Sequence, residues 1–361
     1  MTVKNNKTTR TVMVGNVPVG GGHRIPIQSM TNKPATDAAA TYEQIRRLET
    51  AGCDIIRIAV PSIEAAESVR YIKEWGISIP LVADIHFDWR IALKCAEYGV
   101  DKIRINPGNI GDAERVRAVA KACAEKSIPI RIGVNSGSLE KPLLQKYGAP
   151  TAEALYESAM GHVALLNRYD FDDIIISVKS SDVRATVDAY RFISERCDYP
   201  LHLGVTEAGS SRMGIIKSAA AFGALICDGI GDTVRVSLTD DPEREVEAAR
   251  DILRALDCPG HGGLNIVSCP TCGRTRIDLC RLVSEFEARA AAEGLLELEI
   301  KVALMGCAVN GPGEAREADI GIAGGVGEAV IFEHGEIVGK VAEGDVIDAL
   351  VARIKEKYCG R

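Results

Sequence analysis

Short runs of β-branched and aliphatic residues alternate with amphipathic helical segments along most of the chain. Because a helix between two strands lets those strands pair in parallel, this alternation predicts an α/β fold with a buried parallel sheet. Eight units within roughly 230 residues match a closed (β/α)8 TIM barrel, and their even spacing favours closure over a doubly wound open sheet. The predicted strands are Ile25–Thr31, Ile55–Pro61, Leu81–His86, Lys102–Pro107, Ile128–Asn135, Asp173–Lys179, Leu201–Glu207 and Thr233–Thr239.

Helix-start signals stand between the predicted strands. Thr41 and Gln44 have the spacing of a capping box, and Pro242 follows Asp241 in the order that opens a helix. Segments of helical periodicity therefore separate the strands. The clearest predicted helices are Thr41–Ala51, Ile63–Trp75, Ala113–Glu125 and Pro242–Leu256.

The alternation stops at the Gly-rich segment 257–263, which predicts a linker. We therefore predict a barrel domain at residues 1–260 and a small α+β domain at residues 261–361. Its predicted helices are Thr275–Ala292 and Asp345–Tyr358, and its predicted strands are Leu298–Met305, Ile320–Ala323, Ala329–Glu333 and Glu336–Ala342.

Composition narrows the class of protein. The chain carries a formal net charge of −7, whereas general nucleic-acid binding requires a basic surface. No apolar run is long enough to span a bilayer, and the polar N-terminal residues do not read as a secretory signal. Eleven cysteines, an odd number, are typical of a reducing compartment. These features predict a cytoplasmic protein with no nucleic-acid or membrane partner.

Several predicted barrel strands carry a cation late in an otherwise apolar run. Late positions lead to the C-terminal face of a barrel, where active sites are assembled. Since side chains alternate along a strand, Asn106, Asn135 and Ser237 face the same side as the cations of their strands. Buried like charges need a counter-charge, so the pattern predicts a site for a polyanion such as a phosphate ester. The cations are Arg57, Arg104, Arg131, Lys179 and Arg235.

Carboxylates and a histidine stand at the ends of the same strands. Asp84, His86 and Glu207 are candidate acid, base or hydroxyl-positioning groups. An internal ion network, with Asp84 and Glu207 neutralising some of the cations, is the alternative. Asn310, in a loop of the second domain, is a further candidate for binding a polar substrate.

Three cysteines and a glutamate near the C-terminus have the pattern of a metal site. Cys269 and Cys272 form a Cys-x-x-Cys pair, and Cys307 and Glu314 follow in a Gly-rich loop. An iron–sulfur cluster is favoured because the fourth candidate is a hard oxygen ligand, whereas a structural zinc site usually has a fourth Cys or His. Structural zinc and a redox disulfide remain open. Six other cysteines lie in apolar or helical stretches and are predicted to be core residues: Cys53, Cys95, Cys123, Cys197, Cys227 and Cys280.

These residues together resemble the bacterial two-domain form of the hydroxymethylbutenyl diphosphate synthase family, called IspG or GcpE. The resemblance runs along nearly the whole chain, and its last two motifs are highly specific. The motifs are Ile27-Gln-Ser-Met-Thr31, Ala83-Asp-Ile-His-Phe87, Arg104-Ile-Asn-Pro-Gly108, Arg131-Ile-Gly-Val-Asn-Ser136, Ser177-Val-Lys-Ser180, Gly204-Val-Thr-Glu-Ala-Gly209, Ser268-Cys-Pro-Thr-Cys-Gly273 and Gly306-Cys-Ala-Val-Asn-Gly-Pro-Gly-Glu314.

The resemblance implies reductive ring opening and dehydration of methylerythritol cyclodiphosphate in the non-mevalonate isoprenoid pathway. It implies a [4Fe–4S] cluster held by Cys269, Cys272, Cys307 and Glu314, with the glutamate replaceable by a substrate oxygen. It also implies electron supply by flavodoxin or ferredoxin, and a homodimer in which the cluster domain of one subunit caps the barrel of the other.

Two other functions fit the same residues. One is a non-redox dehydratase that uses an open iron as a Lewis acid on a phosphorylated substrate. The other is an iron-responsive binding protein whose cluster controls contact with a partner. A requirement for external electrons separates the first from a reductase, and a gel shift with and without the cluster tests the second.

Overall fold

The computed structural model describes residues 8–308, 313 and 315–359. The chain forms two compact units, Met1–Pro259 and Gly260–Arg361. Over the described residues, none of the helices is both long and apolar enough to cross a lipid bilayer.

The first unit is a parallel barrel. Six strands form a continuous parallel sheet in chain order: β3 (Gln28–Met30), β4 (Ile55–Ala59), β5 (Leu81–Asp84), β6 (Lys102–Ile105), β7 (Ile130–Asn135) and β8 (Ile174–Lys179). Two short strands, β9 (His202–Leu203) and β10 (Thr233–Val234), pair in parallel with each other. Parallel bridges from Ile176 to Leu201 and from Ile27 to Val234 join this pair to both edges of the six-stranded sheet. The predicted TIM barrel is therefore confirmed, with strands shorter than predicted.

Helices cover the outside of the barrel. They are α1 (Ala38–Thr50), α2 (Ile63–Trp75), α3 (Trp89–Glu97), α4 (Ala113–Glu125), α5 (Lys141–Tyr147), α6 (Ala152–Asn167), α7 (Val183–Ser194), α8 (Ser211–Cys227) and α9 (Pro242–Ala255). The predicted capping box at Thr41 and Gln44 is wrong. Asp37 caps α1 by accepting from Ala40 N, so Thr41 and Gln44 lie inside the helix on its buried face.

An N-terminal hairpin that the sequence pattern did not predict closes the bottom of the barrel. It consists of β1 (Val12–Val14) and β2 (Val17–Val19), paired antiparallel. Val12, Val14 and Val19 pack in one apolar cluster with Ile55, Val82 and Ile175 from three barrel strands. The N-terminal end of the lumen therefore has a hydrophobic floor.

The second unit is a mixed five-stranded sheet. Its strands, in spatial and chain order, are β11 (Asn265–Ser268), β12 (Lys301–Met305), β13 (Ile320–Gly324), β14 (Glu328–Glu333) and β15 (Glu336–Ala342). The strands β11, β12 and β13 pair in parallel, and β14 pairs antiparallel with both β13 and β15. Helices α10 (Leu279–Ala292) and α11 (Val346–Tyr358) contribute Phe286 and Leu350 to its apolar core. The α+β elements predicted here are present, and β11 is an additional strand.

The predicted core cysteines divide by location. Cys53, Cys95 and Cys123 are buried, as predicted, and burial raises the pKa of each of these thiols to about 12. The prediction is wrong for Cys227 and Cys280, which are exposed because they lie on the outer faces of α8 and α10. Cys197 is half-buried.

Candidate active site

A cavity opens at the carboxyl ends of the barrel strands. It encloses about 520 Å³ of empty space, which includes an opening to solvent. The five predicted cations line this one cavity together with Asp84, His86, Asn135 and Ser237. The full lining is Arg57, Asp84, His86, Arg104, Arg131, Asn135, Ser177, Lys179, Thr206, Arg235 and Ser237.

Strand register places these side chains side by side. Arg104 on β6 is in register with Arg131 on β7, and Asn135 is in register with Lys179 on β8. In parallel strands, residues in register point to the same face, so these pairs project together into the lumen. Arg104 crosses Gly133, where an added Cβ would lie 2.7 Å from Arg104 Nε. A glycine at position 133 therefore leaves room for the guanidinium.

Two buried carboxylates contact the cations. Asp84 Oδ1 lies 3.2 Å from Arg104 Nη1, and Asp84 Oδ2 lies 3.6 Å from Arg57 Nε. Burial alone would raise the pKa of Asp84, but the charges of Arg57, Arg104 and Arg131 outweigh burial and leave that pKa below its usual value. Asp84 is therefore an ionised partner of the arginines.

Glu245 is the second carboxylate, a site residue that the sequence pattern did not predict. It projects from α9, accepts from Ser29 Oγ at 3.0 Å and lies 3.3 Å from Arg235 Nη2. The internal network that was expected to use Asp84 and Glu207 thus uses Asp84 and Glu245. The sequence signal for Glu245 is weak, because a glutamate in the first turn of a helix is most often solvated.

Several guanidinium groups have poor acceptors. Arg57 Nε and Nη2 point at the Met30 sulfur, at 3.1 Å and 2.9 Å, and thioether sulfur accepts hydrogen bonds only weakly. Arg131 Nε and Nη1 are buried without a hydrogen-bond partner among the described residues. Burial and the neighbouring Arg57 and Arg104 lower the pKa of Arg131. The cavity therefore presents N–H donors that an anion would satisfy.

A further polar layer lies deeper in the lumen. Lys102, two residues before Arg104 on β6, is fully buried and donates to Gln28 Oε1 at 3.2 Å. His202 on β9 is also fully buried, and neither ring nitrogen has a hydrogen-bond partner in the part of the chain that is described. Burial, followed by repulsion from Arg131 and Arg57, holds the pKa of Lys102 well below its ordinary value. The two-residue spacing from Arg104 is the signal that could have identified Lys102.

Two predicted site residues of the barrel do not line the cavity. Asn106 is half-buried, and its Oδ1 accepts from Gly108 N at 3.2 Å at the turn that follows β6. Glu207 is exposed and has a φ of 51°, in the left-handed region that a glutamate rarely adopts. It directly follows Thr206, which lines the cavity.

The cysteines lie at an equivalent edge of the second unit. Ser268 ends β11 and Met305 ends β12, and these strands are parallel neighbours, so Cys269 and Cys307 follow adjacent strand ends. Cys269 Sγ accepts from Gly306 N at 3.2 Å, which ties the Cys-x-x-Cys turn to the Cys307 loop. Hydrogen bonds from the backbone and side chain of Arg274 lower the pKa of the Cys272 thiol. Three soft thiol donors near one edge suit an iron–sulfur cluster.

The fourth predicted ligand, Glu314, lies outside the described residues, as does Asn310. Within 8–308, 313 and 315–359, no three His, Cys, Asp or Glu side chains stand close enough together to hold a metal ion. The described residues therefore supply the chemistry of the donor set and its backbone support, without a closed ligand geometry.

Two family models match the chain. The GcpE TIM-barrel domain matches residues 9–250, and the GcpE protein C-terminal domain matches residues 265–356. Each model thus falls within one of the two compact units.

Bacterial relatives match almost the whole chain. The 4-hydroxy-3-methylbut-2-en-1-yl diphosphate synthase (flavodoxin) of Clostridium perfringens is 56% identical over 351 residues, which cover 97% of this chain and 99% of that protein. The protein of the same name from Geobacter sulfurreducens is 55% identical over 348 residues, which cover 96% of this chain and 97% of that protein.

A solved structure shares the architecture of the barrel. Dihydropteroate synthase from Stenotrophomonas maltophilia, with active site-bound imidazole, aligns with a TM-score of 0.50 and 13% identity, over 69% of this chain and 98% of that one. At this identity the likeness shows the fold alone.

Proposed function

The chain belongs to the GcpE family, and we therefore propose that it converts 2-C-methyl-D-erythritol 2,4-cyclodiphosphate to 4-hydroxy-3-methylbut-2-enyl diphosphate. The reaction opens the cyclic diphosphate reductively, uses two electrons and releases water. The observation that carries the assignment to this site is the excess of buried positive charge at the barrel mouth. Five cations line a cavity where Asp84 and Glu245 are the contacting carboxylates that the structure describes.

In this proposal residues 1–260 bind the substrate. The guanidinium groups of Arg57, Arg104 and Arg131 would donate to the diphosphate oxygens, which are far better acceptors than the Met30 sulfur. Lys179 and Arg235 would contact the same group from β8 and from the segment after β10. Asn135 and Ser237 would orient the hydroxyl oxygens of the substrate from the cavity wall.

The acid and base roles separate by environment. Asp84, held ionised between two arginines, is suited to orienting those arginines rather than to carrying a proton. His86 stands 3.8 Å from Asp84 Oδ2 with 54% of its side chain exposed, so it is placed at the mouth to exchange protons with solvent and substrate. Glu207 has an unusual backbone conformation next to the cavity edge, and such a conformation is often retained for function. We assign it a proton-handling role at the rim.

Residues 261–361 would hold a [4Fe–4S] cluster through Cys269, Cys272, Cys307 and Glu314. When bound, the cluster would supply single electrons to the substrate. The chain itself fixes the Cys269 sulfur through a hydrogen bond from the Gly306 N–H. It also lowers the pKa of the Cys272 thiol, which favours the thiolate form that binds iron. The relatives are named as flavodoxin enzymes, which supports flavodoxin rather than ferredoxin as the electron donor.

A cytoplasmic homodimer completes the proposal. The outer face of α8 exposes Met213 and Ile216, at 45% and 48% of their surfaces, beside the exposed Arg212 and the half-buried Lys217. Such a face is better covered by protein than by water, and a second copy of the chain would cover it.

The proposed activity is tested by anaerobic turnover. Protein reconstituted with iron and sulfide is incubated with the cyclodiphosphate and a strong one-electron reductant, and the product is identified by mass spectrometry. Product that forms only with reductant supports the reductive reaction. A different product, formed without electrons by loss of water and lacking the two added hydrogens, would establish the Lewis-acid dehydratase instead. No product from cluster-loaded protein that binds the substrate would overturn the assignment.

A further inference from the structure

One backbone N–H at the barrel mouth serves two acceptors. Gly108 N lies 3.2 Å from Asn106 Oδ1 and 3.3 Å from His162 Nδ1. Asn106 comes two residues after Arg104, just after β6, yet its carboxamide is turned back onto its own loop instead of lining the cavity. His162 therefore competes with Asn106 for the same proton.

His162 is held between two mouth loops. It lies on α6, is 5% exposed, and its Nε2 stands 2.9 Å from Glu140 Oε1, although not in line with the N–H direction. Glu140 immediately precedes α5 and follows β7, the strand of Arg131. Ser158, one turn earlier on α6, donates to both Glu140 oxygens at 3.0 Å and 2.8 Å and so fixes that carboxylate.

These contacts select one form of the imidazole. Gly108 N–H can donate only to an unprotonated Nδ1, so the ring proton belongs on Nε2, facing Glu140. Burial lowers the pKa of His162 more than Glu140 raises it, which also favours this neutral form. His162 is thus a fixed acceptor for the loop after β6.

We propose that His162 is a positioning residue that frees Asn106 to bind the substrate, an inference that rests on the proposed function of the barrel mouth. With Nδ1 accepting the Gly108 N–H, the Asn106 carboxamide can leave its own loop without stranding that donor, and its NH2 can then donate to the anion in the cavity. Without His162, rotation of Asn106 would leave Gly108 N, on an exposed residue, with solvent as its acceptor and the loop without that tie to α6. Since a net hydrogen bond contributes modestly, we expect a loss of His162 to weaken substrate affinity about two- to tenfold.

Two conservative substitutions separate the contacts of His162. In His162→Asn the side-chain oxygen occupies the place of Nδ1 and retains the Gly108 acceptor, whereas in His162→Gln the amide reaches toward Glu140 and that acceptor is lost. We expect His162→Asn to bind the cyclodiphosphate like the parent and His162→Gln to bind it more weakly. Gly108→Ala should match His162→Gln, because the new Cβ would lie 2.6 Å from His162 Cε1 and displace the ring.

The decisive measurement is a double-mutant cycle with Asn106→Ala, using calorimetric affinity of cluster-loaded protein for the cyclodiphosphate. If His162 acts through Asn106, His162→Gln has no further effect once Asn106 is alanine. Equal losses in both backgrounds, or a loss in His162→Asn as large as in His162→Gln, would overturn the inference. Thermal melting and iron content verify that each variant is folded. A parent protein that fails to bind the cyclodiphosphate would instead refute the proposed function.

Discussion

In the barrel, the candidate ligands are buried side chains on strands, held by ion pairs and by register with their neighbours. In the second unit, the candidate ligands follow strand ends: Cys272 is exposed, and Cys269 and Cys307 are half-buried. Both sets lie where parallel strands end, the edge at which α/β proteins assemble their sites. The difference is in what binding must accomplish. The barrel needs an anion to neutralise cations that are already in place. The cysteine edge, which we define as Cys269, Cys272 and Cys307, needs a bound metal centre to fix the positions of its sulfur donors.

The largest effect is expected at the cysteine edge. Cys307→Ser should abolish cluster binding, because an alkoxide replaces a thiolate poorly and the neighbouring cysteines cannot hold the cluster alone. Anaerobic protein would fall from about four irons and four sulfides per chain to almost none.

Cys280→Ser is the matched control, since Cys280 is an exposed thiol on α10 of the same unit. It should retain the parent iron content. One zinc and no sulfide in the parent protein would contradict the iron–sulfur assignment.

At the barrel mouth the expected effect is smaller and of a different kind. Arg131→Met removes charge-assisted hydrogen bonds worth roughly 1.5–3 kcal/mol, so affinity for the cyclodiphosphate should fall about ten- to a hundredfold while iron content is unchanged. Isothermal titration calorimetry measures the affinity. Arg117→Met, at an exposed position on α4, should change neither quantity. Unchanged affinity in Arg131→Met would mean that the cations form a purely internal network.

In the deeper polar layer of the lumen, which contains Lys102 and Gln28, we expect a double variant to gain stability and to lose affinity for the anion. Replacing Lys102 by Met and Gln28 by Leu removes a buried cation together with its partner, so the free energy of unfolding should rise by about 1–2 kcal/mol. Affinity for the anion should fall about three- to tenfold, because a bound anion favours the protonated form of Lys102 and the variant has no amine beneath the cavity to protonate. Urea unfolding and calorimetry measure the two quantities, with Lys121→Met on the exposed face of α4 as control. A variant that loses stability would show that Lys102 is compensated in a way that its contact with Gln28 does not reveal.

The last expected effect is a dependence of stability on pH. Burial, and repulsion from Arg131 and Arg57, lower the pKa values of Lys102 and Lys179 in the folded state, so the unfolded chain binds more protons between those lowered values and about 10.4. Stability should therefore rise with pH across that window, and the penalty is complete below it. Urea unfolding at several pH values should show this slope, and Lys102→Met should flatten it. An identical slope in the variant would assign the titration to other groups.

The sequence was sufficient for the parallel barrel and for its mouth cations, because both follow from local periodicity. The alternation of side chains along β6 and β7 places Arg104 and Arg131 on one face of the sheet. The pairing register of these two strands makes them neighbours, and the local sequence does not encode that register. Glu245 could not be anticipated, since its burial depends on how α9 packs beside β3. The Thr41–Gln44 spacing misled for a similar reason: the helix had already begun at Ala38, after the Asp37 cap, and Gln44 is hydrogen-bonded to Asn32 instead. The β1–β2 hairpin is short, and its contacts are distant in sequence.

The β1–β2 hairpin covers the N-terminal end of the barrel lumen. The valines of β1 and β2 form a floor of low polarisability beneath a stack of cations, so the field lines of those cations are directed outward through the mouth. An anion approaching from solvent would meet an attractive funnel at one end of the barrel, and its association rate should fall steeply with ionic strength. Among the described residues the cavity opens at the carboxyl ends of the strands, so product leaves through the mouth against that field. The rate of product release, rather than the rate of substrate binding, would then limit turnover.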